Sequence, residues 1–217
     1  MIEIELNEIE IRVLGCLIEK EMATPEYYPL SLNALQHACN QKSNRNPVVS
    51  FDEQTVVMAL DGLKEKHLAW QSDTGRVPKY AHQIDKKFNL IARESAVICL
   101  LLLRGPQTLG ELRGRSERLY AFSELSEVEE TLQSLEEMGL TQKMAKLPGR
   151  KESRFAHLLS GEPELSVDGG NAVTEKATIQ VRAGNERVVV LEEEVERLRI
   201  ELEELKQSFE TFKAQFE

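Results

Sequence analysis

The chain has 217 residues, 41% of them hydrophobic and 29% charged, which leaves room for two small globular domains with extra segments. No apolar run approaches the roughly 18 residues of a membrane span, since the longest, Ala96 to Leu103, stops at Arg104. The acidic start MIEIELNEIE lacks the basic then apolar order of a secretory signal, so a cytoplasmic protein without a membrane crossing is expected.

Net charge is −10, but residues 1–90 hold 10 basic against 13 acidic residues, residues 91–165 hold 10 against 12, and residues 166–217 hold 7 against 12. Half of the excess therefore lies in the tail. A nucleic-acid footprint would have to be a local basic surface.

The first helix is expected from Asn7, a capping residue, with Val13, Leu14, Leu17 and Ile18 on its core face. Pro25 and Pro29 end it, and Tyr27 and Tyr28 favour extended backbone between them. Ser31 opens a second helix through Leu32, Leu35 and Cys39, which runs into the polar turn Asn40 to Asn46. Ser50 and Glu53 stand at capping-box spacing before a third helix through Val56, Val57, Leu60 and Leu63. His67 to Gln71 and Val77 to Gln83 are then two extended segments around the turn SDTGR.

Three helices and a hairpin make a winged helix, and the chain repeats the order. Asn89 to Leu103 is an apolar helix ended by Gly105 and Pro106. Thr108 with Glu111 caps the next helix, Ser126 with Glu129 caps a third, and Leu140 to Leu147 pairs with Ser153 to Leu158. The letters repeat too: ALDGLKEKHLAWQ from Ala59 aligns with TLQSLEEMGLTQK from Thr131, matching Leu60, Leu63 and Leu68 to Leu132, Leu135 and Leu140. The expected fold is mainly α with small β-hairpin wings: a winged-helix domain at 1–83 and a second at 84–160, each with its own core, a flexible linker at 161–187 and a coiled-coil helix at 188–217.

In that last helix Val188, Val195, Leu202, Phe209 and Phe216 take heptad position a, and Leu191, Leu198, Leu205 and Phe212 take d. Valine at a with leucine at d favours two strands. Glu194 and Glu201 at g face Arg199 and Lys206 at the following e of a parallel partner, so a parallel homodimer is expected.

RVLGCLIEKE from Arg12, TPEYYPLSLNALQHACNQKSNR from Thr24 and the two-winged layout resemble the YceH family of uncharacterised bacterial proteins, over roughly residues 5–160. The resemblance implies a tandem winged-helix fold in a bacterial cytoplasm. It implies no activity, so function rests on the residues.

No GxSxG, phosphate loop, HExxH or CxxC pattern is present, and no enzyme or cofactor is expected. Cys16, Cys39 and Cys99 sit on apolar stripes as small core residues, and His37 and Cys39, two apart on a helix, point to different sides and cannot chelate one metal. His82 and His157 close the two wings at equivalent positions, which favours a structural role.

The third helix of each copy is the usual groove reader, but the first begins with Asp52, Glu53 and Gln54 and the second with Glu127, Glu129 and Glu130. Of these only Gln54 reads a base well. Cations lie in loops instead: Lys42 and Arg45 in the polar turn, Arg76 and Lys79 in the first wing, Arg150, Lys151 and Arg154 in the second. These candidates suit contacts to the phosphates of double-stranded DNA by a DNA-associated regulator. The competing expectation is an adaptor that docks another protein through acidic winged-helix faces and the coiled coil.

Overall fold

The computed structural model describes residues 4–73, 75, 77–146 and 152–161. They form a mainly helical body with two small antiparallel sheets. The linker and coiled-coil expectations, with all nine seam residues from Val188 to Phe216, lie outside the described residues.

Helix α1, Glu8–Ala23, starts at the expected cap: the Asn7 side chain accepts from the amides of Ile9 and Glu10, while the Glu10 carboxylate accepts from the Asn7 amide. Its end leads through a 3-10 turn, Pro25–Tyr27, into the short strand β1, Leu30–Ser31. Ser31 caps α2, Leu32–Cys39, by accepting from the Ala34 amide. Helix α3, Glu53–Glu65, begins two residues later than the Ser50 cap implies, because the Asp52 carboxylate takes the Thr55 amide at 2.7 Å. Strands β2, Ala69–Ser72, and β3, Lys79–His82, make the expected hairpin, and β1 joins β3 on its other edge.

A short helix α4, Ile84–Phe88, which the sequence pattern does not announce, connects to the second half. There α5 is Ala92–Arg104, α6 is Leu109–Ser116 and α7 is Leu125–Glu137. Thr108 and Glu111 form the expected capping box. Ser126 is not a cap: α7 starts after Glu124, and the Glu127 carboxylate accepts from the Ser123 amide and hydroxyl. Strands β4, Thr141–Lys143, and β5, Phe155–His157, pair as the second hairpin.

The internal repeat extends to the backbone. The Leu68 amide donates to Leu63 and the Gln83 amide to Leu68, and the Leu140 amide donates to Leu135 and the Leu158 amide to Leu140, all at 2.8–2.9 Å. Before α6, Gln107 bridges β5 as β1 bridges β3 before α2. The carboxylates at the third position of α1 and α5 reach the matching helix of each half: Glu10 to Lys66, Glu94 to Ser134. Position 62, the partner of Ser134 in the repeat, is glycine, and a Cβ there would stand 2.2 Å from Glu10 Oε1.

The two halves do not keep separate cores. Consecutive residues Glu94 to Leu103 of α5, and Glu10 to Ile18 of α1, are all buried, and a helix buried all round must pack on two sides. Each covers its own half and meets the other at Gly15, where a Cβ would lie 2.9 Å from Leu103 Cδ2 and 3.1 Å from Leu102 Cβ. The Cys99 thiol donates to the Gly15 carbonyl at 3.5 Å across this crossing. The Leu6 amide also donates to Leu159 at 2.7 Å, tying the start of the first half to the end of the second. One apolar cluster runs from Leu6 to Leu159.

Candidate nucleic-acid interface

Of the polar-turn cations, Lys42 is exposed and Arg45 is not. The Arg45 side chain is 0% exposed. It folds under α2, whose last carbonyls have no helical partner, and its Nε and Nη2 donate to Ala38 O at 3.2 and 3.0 Å. Its other donors grip the Glu19 carboxylate in a two-pronged pair at 2.9 and 2.5 Å, with Gln41 Oε1 at 3.1 Å. Burial would raise the Glu19 pKa, but the bonds and charge of Arg45 outweigh it and hold the carboxyl below its usual range. Arg45 is thus a core ion pair, and the expectation that it touches phosphate is corrected.

The turn is also locked on its outer side. The Asn40 amide and carbonyl groups bond both backbone groups of Phe51, at 2.8 and 2.7 Å. The Asn46 amide donates to Leu103 O at 2.9 Å, and Arg104 at the end of α5 donates to Asn44 Oδ1. This sets the exposed tip at Lys42 beside the second half. Burial first, and then the neighbouring Arg115, lower the Arg104 pKa.

Arg115 of α6 donates to Gln107 Oε1 at 2.8 Å and pairs with Glu111 at 3.4 Å. Glu111 also pairs with Arg154 at 3.1 Å, and Arg154 donates to Pro106 O at 2.5 Å. Burial would raise the Glu111 pKa, but the Thr108 amide bond and the two arginines lower it. One carboxylate therefore serves two guanidiniums. Arg113 and Arg118 are exposed on and just beyond the same helix.

The structure thus joins Lys42 and Arg154, both singled out in the sequence, with Arg104 and Arg115, which were not. Four arginines within RGPQTLGELRGRSER, from Arg104 to Arg118, were the available signal. Lys79 is half-buried on β3 opposite Ser72 and Ser31. Arg76, Arg150 and Lys151 lie outside the described residues.

The model of a family described as "Protein of unknown function, DUF480" matches residues 6–150, a span holding the whole basic surface except Arg154. The chain belongs to the DUF480 family. It is similar to UPF0502 proteins of Geobacter sulfurreducens, 56% identical over 218 residues that cover 99% of this chain and 100% of the relative. Those of Pelobacter propionicus and Solibacter usitatus are 52% and 50% identical, covering 99% and 98% of this chain and 100% and 98% of theirs.

The third helices of this DUF480 chain present a different chemistry. On α3 the outward positions are Glu53, Gln54, Met58, Asp61 and Glu65; on α7 they are Leu125, Ser126, Glu129, Glu130, Gln133, Glu136 and Glu137. Gln54 is exposed as expected, but the Asp52 and Glu53 carboxylates flank it. The three cysteines are buried, with burial pushing the Cys99 thiol well up. His37 is exposed and bonded to Asn33 O while Cys39 is buried, so the two do point apart. No described helix is long and apolar enough to cross a membrane.

Proposed function

We propose that this DUF480 chain is a non-enzymatic, DNA-associated regulator of two winged-helix units that grips duplex DNA by its phosphates. The observation that carries the reading is the basic surface that brings the Lys42 turn and Arg104, bonded through Asn44, together with Arg115 and Arg154, which share Glu111. Cations drawn from separate elements suit successive phosphates, which position a protein without reading sequence. The acidic outer faces of α3 and α7 argue against either helix entering the major groove, where they would meet phosphate on both sides.

Fluorescence anisotropy with a labelled duplex tests this. Wild type should bind at about 50 mM salt and weaken steeply as salt rises, while a Lys42→Ala, Arg113→Ala, Arg118→Ala triple variant should bind less tightly, with a log–log salt slope shallower by roughly 3. Failure of the wild type to bind at the lower salt rejects the reading. The second reading, a protein-docking adaptor, is favoured by the exposed Met58 on α3 and the exposed Trp70 on β2. Binding through such apolar side chains would resist salt.

The same proposal gives the chain a parallel homodimer through residues 188–217, which would present two basic surfaces. Valines at a and leucines at d carry it. In sedimentation equilibrium at tens of micromolar, about where a weak coiled coil still pairs, the full chain should be dimeric and a chain ended at Gly161 monomeric. A monomeric full chain rejects the dimer.

A further inference from the structure

His82 and His157 occupy the same place in the repeat, the last residue of the second wing strand, paired with Ala69 and Thr141. Their surroundings differ. Burial alone pushes the His157 imidazole down to about 4, so it is a neutral ring filling space. His82 instead meets two carboxylates, Glu21 from the last turns of α1 and Asp85 from α4. Both copies place a histidine here, and among the described residues the pair of carboxylates stands only at His82.

We propose that Glu21, His82 and Asp85 bind a divalent transition-metal ion. One ligand atom from each lies within 4.8 Å of the others, and ligands at the usual 2.0–2.2 Å from an ion stand roughly 3.3 Å apart. Glu21 and His82 already touch, so the exposed Glu21 arm must swing outward to admit the ion. One imidazole with two carboxylates suits zinc and its neighbours better than the all-oxygen preference of calcium or magnesium.

The ligands are prepared unequally. The His82 side chain is 3% exposed, with Nε2 against Glu21 Oε2 and Nδ1 buried without a hydrogen-bond partner among the described residues. Its backbone is fixed by Tyr28, whose hydroxyl accepts from the His82 amide at 2.7 Å and whose ring tilts against the imidazole. Asp85 Oδ1 accepts from Ser95 Oγ at 2.7 Å, which orients the carboxylate as an outer-shell donor does. Glu21, 45% exposed, is the movable arm that draws back from the imidazole to admit the ion and leaves the remaining coordination positions toward solvent. As an ion pair alone the arrangement is poorly made: a buried imidazole would depend on a largely solvated carboxylate, worth little in water. A bound ion would tie the end of α1, the wing and the connector α4 together.

The test uses the full chain stripped with a chelator and titrated with Zn2+ by calorimetry. One ion per chain should bind and raise the melting temperature. Glu21→Gln and Asp85→Asn, which leave the buried imidazole in place, should each weaken binding by more than about tenfold, and His37→Ala should not. Co2+ in the same site should give a spectrum of nitrogen and oxygen ligands. Absence of binding at millimolar Zn2+, wild-type affinity in either carboxylate variant, or a thiolate-to-cobalt charge-transfer band would each overturn the proposal.

Discussion

Arg45→Met is expected to cost about 3–5 kcal/mol, read as a fall in the urea midpoint, because it strands a mostly buried Glu19 and frees the Ala38 carbonyl at the end of α2. Glu19→Gln in the same background should recover part of that loss, since the charge left unpaired is then gone. The pH dependence has a definite sign. The folded Glu19 pKa lies below its unfolded value near 4.3, so between them the unfolded chain binds the proton first and wild-type stability falls with falling pH. That contribution is fully present above the unfolded pKa and lost through the folded one. With Arg45 replaced, burial raises the carboxyl instead, so the variant gains stability as pH falls through that raised pKa and the wild type loses it below about 4.3: the gap should narrow across the whole window. A change in midpoint under about 1 kcal/mol, the scale of surface pairs, would mean that the pair is solvated.

Arg45 also marks where reading the sequence stops working. Asn40 to Asn46 is polar throughout, and polarity predicts solvent; nothing in helical spacing shows that an arginine seven residues after Ala38 will fold back onto its carbonyl. The capping boxes at Asn7 and Thr108 and the cap at Ser31 were legible because they are local. Ser50 and Ser126 failed because the helices start elsewhere: Asp52 takes the Thr55 amide and starts α3 later, and α7 begins upstream at Leu125 with Glu127 holding the Ser123 amide. The surface joining Lys42 to Arg104 and Arg115 depends on the turn docking on α5, a tertiary event. Glu21, His82 and Asp85 were hidden for the same reason: 61 residues of chain separate the first two, and only the closing of β3 against α1 unites them.

The matching leucines test how far the repeat is also a unit of folding. Leu60 and Leu132 are each 1% exposed, so Leu60→Ala and Leu132→Ala should each cost about 2–5 kcal/mol. Separate cores would confine each loss to its own half. A core shared through the Gly15 crossing makes a different prediction, because α1 cannot keep its packing once α5 unfolds. Trp70, the single tryptophan, stands on β2 in the first half and reports on that half by fluorescence. Leu132→Ala in the second half should therefore shift the Trp70 urea midpoint as far as Leu60→Ala does, and circular dichroism should give the same midpoint as fluorescence for each variant. A Trp70 transition that stays at the wild-type midpoint in Leu132→Ala would show that the halves unfold apart despite the crossing.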